Sequence, residues 1–181
     1  SEVCRHVGGI YTVLSTKAAT TVQQWGDRYC IIGPYTDQTS PTEFELLSPG
    51  PIFGPTLSRL HDQGMQVHFG RWLVNGNPKV LLFDYLAHFD RLNEYRQAVW
   101  DELRIPAPPN DAETNDAIVF GALVAEFLAE FVASQPAGQR VVAHFHEWMA
   151  SIALSLLRKR DVRLATVFTT QDITGALRAI R

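Results

Sequence analysis

One stretch of the chain, Val141–Thr170, constrains the fold most, because it predicts a strand, a helix and a second strand. The run Val141–Phe145 is almost wholly apolar, which is typical of a strand buried on both faces of a parallel sheet. The segment Trp148–Arg160 has apolar residues at helical spacing and ends on three basic residues, which suit the negative end of the helix dipole. The run Leu164–Phe168 predicts the returning strand. A unit of this length forms a right-handed crossover in a parallel sheet.

Polar side chains follow both of these predicted strands. His144, His146 and Glu147 stand where the first strand ends, and Thr169 and Thr170 leave the second. Ligands of open α/β sheets bind beyond the carboxyl ends of the strands. His144 and His146 alternate on one strand, so they share one face. We expect the histidines and Glu147 to line a site; Glu147 is interpreted either as an acid or base or as a complement to the helix dipole.

The pair of histidines at a strand end also fits a metal-dependent hydrolase. That interpretation requires further His or Asp ligands. The remaining histidines offer no second cluster of this kind; they are His6, His61, His68 and His88. We therefore expect no metal, and we interpret the two histidines as hydrogen-bonded residues that line the site.

Two adjacent glycines, Gly8 and Gly9, open a segment of helical spacing that runs to Val22. Such a pair at a strand-to-helix turn lets the backbone approach a ligand, and a helix N-terminus favours an anion. The dipole effect is only ~0.3–1 kcal/mol at an exposed site, so it orients a phosphate more than it captures one. The pair falls short of the dinucleotide pattern GxGxxG, so a plain tight turn is the alternative.

The rest of the chain predicts alternating strands and helices. A buried strand is expected over Arg28–Tyr35, and a long, nearly all-apolar central helix over Glu113–Phe131. The segments Met65–Val74 and Lys79–Tyr85 predict a hairpin, which we expect to form an edge-strand pair packed over the sheet. The predicted fold is therefore an α/β, three-layer, Rossmann-like domain with a mostly parallel sheet, and residues 1–181 form a single domain.

Composition excludes several classes of function. The chain has 181 residues, of which 46% are hydrophobic, so it can bury a core. Its net charge of −3 gives no electrostatic footprint for nucleic acid. We see neither a signal peptide nor a membrane span, and Cys4 and Cys30 are interpreted as reduced thiols of a cytoplasmic protein. The start at Ser1 and the end at Arg181 look like cuts, which indicates a piece of a larger protein.

Seven motifs in fixed order carry a resemblance to a known family. They read VGGIYTVL, WGDRY, GPYTDQ, FGRWLVNGNPKVLLFD, NDAIVFGALVAEFLAEF, VVAHFHEWMA and ATVFTT. In this order they resemble the eukaryotic-type glycogen synthases, which form glycosyltransferase family 3. The similarity runs from Glu2 to Thr170, and it is specific because many independent motifs agree in order and spacing.

The resemblance implies a GT-B architecture, of which this chain is the N-terminal, acceptor-side domain. The implied reaction transfers glucose from UDP-glucose to the non-reducing end of an α-1,4-glucan, as in glycogen, with retention of configuration and without a metal or other cofactor. It also implies a full-length homo-oligomer that binds neither nucleic acid nor membrane. Gly8 and Gly9 match the family's loop that faces the donor diphosphate. His144, His146 and Glu147 match its motif beside the cleft.

Two positions depart from the family pattern. His6 stands where the family has a lysine that helps to bind UDP, and Gln171 stands where it has a histidine that contacts the donor glucose. Both positions are kept as donor-binding candidates. The family's catalytic glutamate lies in a C-terminal donor-binding domain, so we expect no catalytic residue within this chain, and we expect the chain alone to be inactive.

A function of a different class stays open beside the transferase. The changes at His6 and Gln171 also fit a non-catalytic glucan-binding or regulatory module derived from the same fold. A downstream domain with an intact donor site would indicate an enzyme, whereas its absence would indicate the binding module.

Overall fold

A computed structural model describes residues 3–4, 8–36, 42–108 and 111–170. The chain divides into two compact units, Ser1–Ala87 and His88–Arg181, each of which is described by itself. The assignment of the whole chain to a single domain stays a prediction. The α/β class with parallel strands is confirmed, since both units contain a parallel strand pair.

The first unit is built on a mixed four-stranded sheet. Its elements are α1 (Gly8–Trp25), β1 (Cys30–Pro34), β2 (Phe44–Leu46), α2 (Gly54–Asp62), β3 (Val67–Trp72) and β4 (Lys79–Phe83). The strand order is β1-β4-β3-β2; β4 pairs parallel with β1, whereas β3 pairs antiparallel with both β2 and β4. The expectation that the β3–β4 hairpin packs over the sheet is wrong, because β4 lies inside the sheet with a partner on each edge.

Alternate residues of β4 point into two different apolar layers. Val80 and Leu82 share a buried cluster with Leu14 of α1. Leu81 is also fully buried, and it pairs in register with Phe69 of β3 on the other face, whose ring lies 5.7 Å from that of Phe53 beside α2. An apolar run without alternation suits a strand covered on both sides, which explains why KVLLF forms the sheet interior.

The second unit packs three helices beside a two-stranded parallel sheet. After a 3₁₀ helix (Leu86–Arg91) come α3 (Leu92–Leu103), α4 (Ala112–Ser134), β5 (Val142–His146), a 3₁₀ turn (Trp148–Ala150), α5 (Ser151–Lys159) and β6 (Ala165–Thr169). The predicted central helix is confirmed as α4, most of which is buried. By length and composition alone α4 could cross a membrane, but the core helix of a soluble protein passes the same test.

Arg160 at the end of α5 binds both carboxylate oxygens of Glu102 on α3, at 2.8 and 2.9 Å.

The predicted parallel strand–helix–strand pairing is confirmed, but the predicted burial of its strands is not. β5 and β6 pair in parallel, with α5 between them in the chain. Only Phe145 of β5 is buried, whereas Val142 and Val167 are 64% and 45% exposed. The expectation that these strands are buried on both faces is therefore wrong. A strand is buried on both faces only where other elements pack on both sides of its sheet, and an apolar sequence does not show whether they do.

Gly121, in the middle of α4, tests how closely α4 and α5 approach. A Cβ atom there would lie 2.8 Å from Cβ of Ile152 and 3.2 Å from the backbone nitrogen of Ala153. Helix propensity alone favours Gly121→Ala by about 1 kcal/mol. Overpacking costs ~1–3 kcal/mol. Because rigid atoms are in the way, we expect Gly121→Ala to lower the free energy of unfolding, as measured by urea denaturation.

The matched control is Gly50→Ala, since a Cβ atom at Gly50 would meet no atom within 4 Å. It should leave the free energy of unfolding within about 0.5 kcal/mol of the parent chain. A Gly121→Ala chain that is more stable than its parent would contradict the close approach of α4 and α5.

Candidate functional site

The parallel register of β5 and β6 brings two polar clusters to one end of the sheet. His144 pairs with Val167, and His146 pairs with Thr169. Directly paired residues lie on the same face of a sheet, so the two histidines and Thr169 share a face. His144 Nε2 lies 2.8 Å from the Thr169 hydroxyl oxygen, within hydrogen-bond distance. The predicted meeting of the two clusters at the strand ends is thereby confirmed.

His144 and His146 share one face, as their alternation on one strand predicts, and their rings are stacked. Their centroids are 4.2 Å apart and their planes are inclined by 28°. His144 is exposed and His146 is half-buried, so His144 is the more accessible of the two. Neutral imidazoles can both donate and accept hydrogen bonds, so this face suits a polyhydroxylated ligand.

Glu147 has an unusual backbone conformation at the point where the chain leaves β5. Its φ is 63° and its ψ is 170°, a region that is populated almost only by glycine. Its N–H donates to the carbonyl of Thr169 at 3.0 Å, and its own carbonyl accepts from the N–H of Ala150 at 3.1 Å. The Thr170 hydroxyl donates to Glu147 Oε2 at 3.1 Å. Backbone strain of this kind concentrates at functional sites.

The alternative role of Glu147 as a complement to the helix dipole stays a prediction, since Glu147 directly precedes the helical segment but makes no side-chain capping hydrogen bond. The predicted helix start at Trp148 is a 3₁₀ turn, and α5 begins only at Ser151. Glu147 is the N-cap of that turn, where its side chain makes no capping hydrogen bond. Its carboxylate instead accepts from Thr170 at the end of the neighbouring strand, so it connects two strand ends.

The glycine pair lies in the first unit, where α1 begins at Gly8 as expected. Gly9 is exposed at this helix N-terminus. His6 and Gln171 both lie outside the described residues. Gly8 and Gly9 are therefore placed at a helix start, whereas the assignments of His6 and Gln171 to donor binding stay predictions.

Neither cysteine is activated for chemistry. Both thiols are free, and burial together with the negative charge of Glu43 raises the pKa of Cys4 to about 12. Burial also raises the pKa of Cys30. Within the described residues, no group of three or more His, Cys, Asp or Glu side chains is arranged to hold a metal ion.

Thr169 and Thr170 are the site residues whose roles the sequence did not indicate. The strand that they leave was identified, but their partners were not. The signal was present in the spacing, since parallel strands of equal length place Thr169 opposite His146. With His144, His146 and Glu147 they form a cluster of hydrogen-bonding groups, which we call the strand-end cluster.

The strain at Glu147 can be measured by comparing two variants of that residue. Both Glu147→Ala and Glu147→Gly lose the carboxylate, but only alanine retains a Cβ atom in the glycine-like conformation. We expect the glycine variant to be the more stable of the two by about 1–2 kcal/mol in urea denaturation of the 181-residue chain.

The same pair of substitutions at Lys17, an exposed residue inside α1, provides the control. There glycine should be less stable than alanine by about 1 kcal/mol, because the backbone is helical. If alanine is as stable as glycine at position 147, the strained conformation is not present in solution.

Comparison with known proteins places the chain among one set of relatives. A family model described as glycogen synthase matches residues 1–176. Glycogen [starch] synthase of Neurospora crassa is 47% identical over 171 residues, and that of Dictyostelium discoideum is 48% identical over 170 residues. The human liver enzyme is 43% identical over 170 residues. These matches cover 93–94% of this chain but only 19–24% of each relative, so the chain spans about a fifth to a quarter of their length.

Proposed function

We propose a glucosyltransferase function from one premise: the chain belongs to the glycogen synthase family. In this proposal the full-length protein transfers glucose from UDP-glucose to the non-reducing end of an α-1,4-glucan, with retention of configuration. The chain forms the N-terminal, acceptor-side domain of a GT-B enzyme. The observation that carries the proposal is identity of 43–48% to proteins named glycogen [starch] synthase over nearly the whole chain.

The strand-end cluster supports the proposal chemically. A glucosyl donor and a glucan present hydroxyl groups, which bind through hydrogen-bonding side chains of fixed orientation. Stacking of His144 on His146, and the contacts that Thr169 and Thr170 make with His144 and Glu147, limit the freedom of these side chains. We assign His144, His146 and Glu147 to the lining of the active-site cleft.

The donor side of the proposal lies at the start of α1. In this proposal Gly8 and Gly9 face the UDP diphosphate, and His6 and Gln171 are kept as donor-binding candidates. A helix N-terminus contributes only ~0.3–1 kcal/mol to binding an anion at an exposed site. Stabilisation of the leaving diphosphate therefore needs cations from the C-terminal domain, because electrostatic stabilisation of developing charge is usually a large catalytic contribution. No metal or other cofactor takes part, and the proposed enzyme is a cytoplasmic homo-oligomer.

The decisive experiment measures incorporation of labelled glucose into glycogen by the full-length protein. We expect incorporation from UDP-glucose that survives EDTA and yields α-1,4-linked product, as shown by NMR of the new anomeric proton. Purified residues 1–181 should incorporate nothing, because the leaving-group cations are absent. Glycogen binding without incorporation by the full-length protein would favour the non-catalytic glucan-binding module instead, and activity that depends on a metal would contradict the metal-free mechanism.

Gln171 allows a gain-of-function test. The amide of glutamine donates and accepts hydrogen bonds as imidazole does, but it cannot become cationic, and its longer chain costs more entropy to order. A well-placed hydrogen bond in a desolvated site is worth about 1–3 kcal/mol, which corresponds to about ten- to a hundredfold in rate. We therefore expect Gln171→His in the full-length protein to raise kcat/KM for UDP-glucose without changing glucan affinity.

The same substitution at the exposed Gln139 should leave both constants unchanged, which controls for the added imidazole. A neutral or harmful effect of Gln171→His would mean that another residue contacts the donor sugar.

A further inference from the structure

Glu43 connects the first helix to the sheet of the first unit. It directly precedes β2, and its carboxylate accepts from two aromatic donors: the Tyr11 hydroxyl at 3.4 Å and the Trp72 indole N–H at 3.2 Å. The rings of Tyr11 and Trp72 also meet edge to face, with centroids 5.2 Å apart. Both hydrogen bonds are long, so the ring contact and the charge of Glu43 contribute to holding the three residues together.

The carboxylate of Glu43 satisfies a hydrogen-bond donor that is buried in the core. Trp72 is completely buried, and a buried indole N–H needs an acceptor, which Glu43 supplies. Desolvation and, next, the charge of Glu43 raise the pKa of Tyr11 above its usual value, so its hydroxyl stays protonated and acts as the donor. The carboxylate thus has a distinct donor for each of its two oxygens.

Besides the apolar packing of Leu14 and Ile10 on the sheet, helix α1 makes two further contacts, at Tyr11 and at Ala19. Tyr11 lies in its first turn, two residues after Gly9. Eight residues further on, Ala19 packs against the β3–β4 turn so closely that a Cβ atom on Gly76 would lie 2.5 Å from its Cα. The two points are ~12 Å apart at 1.5 Å per residue. At the N-terminal turn the contact of Tyr11 with Glu43 adds a polar, directional contact to the apolar packing of Ile10.

We propose that Glu43 is a positioning residue for the sugar-nucleotide donor, because through Tyr11 it sets the place of the α1 amides at Gly8 and Gly9. This inference rests on the proposed function, in which those amides face the donor diphosphate. Glu43 itself does not touch the donor. Small misplacements of binding groups are costly, since a displacement of about 1 Å can change a rate by about a hundredfold.

The test compares KM values for the two substrates of the full-length enzyme. Glu43→Gln retains the shape of the side chain but places an NH₂ group against one of the two donors, and Tyr11→Phe removes only the hydroxyl. We expect each variant to raise KM for UDP-glucose by about three- to tenfold, with KM for glycogen and kcat within about twofold of the parent. The double variant should be no worse than Glu43→Gln alone, because both substitutions break the same contact.

Glu45→Gln is the matched control, two residues further along the chain on β2. Glu45 lies 3.7 Å from Arg71 in a pair whose two side chains are about half exposed, and such pairs contribute little. The Glu45→Gln variant should have the same KM values for UDP-glucose and for glycogen as the parent protein. A merely structural role for Glu43 predicts a different result: the folded fraction and the maximal rate would fall while both KM values stayed unchanged.

Two outcomes overturn the inference: an unchanged KM for UDP-glucose in Glu43→Gln and Tyr11→Phe, or an equal rise in both substrates' KM. If Glu43→Gln does not fold, Tyr11→Phe decides alone. A parent protein that incorporates no glucose instead defeats the proposed function. In that case hydrogen exchange decides the positioning role. Amides of residues 12–14, whose acceptors are the carbonyls of residues 8–10, should exchange faster in Tyr11→Phe, and unaltered exchange contradicts it.

Discussion

The parallel pairing of β5 with β6 is the constraint on which the second unit depends. Parallel strands cannot be joined by a tight turn, so the chain must cross over between them, and α5 is that crossover. The same pairing sets both strand ends at one edge in register. His146 therefore lies opposite Thr169, and Glu147 extends the ladder by one more hydrogen bond. The strand-end cluster is a consequence of strand direction before it is a property of any one side chain.

Periodicity predicted those features that depend on neighbours in sequence. Alternation with period two placed His144 and His146 on one face, and their rings are stacked. Helical spacing located α4. The apolar run of β4 was interpreted as part of an edge-strand pair, whereas β4 pairs on both edges. A local pattern reports which face of an element is apolar, but it does not identify the element that packs against it.

The missed features depend on backbone geometry or on distant contacts. The left-handed φ of Glu147 has no signature in side-chain chemistry, because a residue type that disfavours the conformation occupies it. Glu43 contacts residues 32 and 29 positions away in the chain. Exposure of Val142 was also missed, since burial is a property of the layers around a strand. None of these follows from spacing within one element.

The conformation of Glu147 results from a close balance of energies. A glycine-like backbone costs roughly 1–3 kcal/mol in a residue with a Cβ atom. Three hydrogen bonds of Glu147 offset that cost. Its N–H donates to the carbonyl of Thr169, its carbonyl accepts from the N–H of Ala150, and its carboxylate accepts from the hydroxyl of Thr170. Each hydrogen bond contributes about 0.5–1.5 kcal/mol net, so losing one removes a large part of the margin. Loss of the contact with Thr170 would therefore loosen the turn after β5.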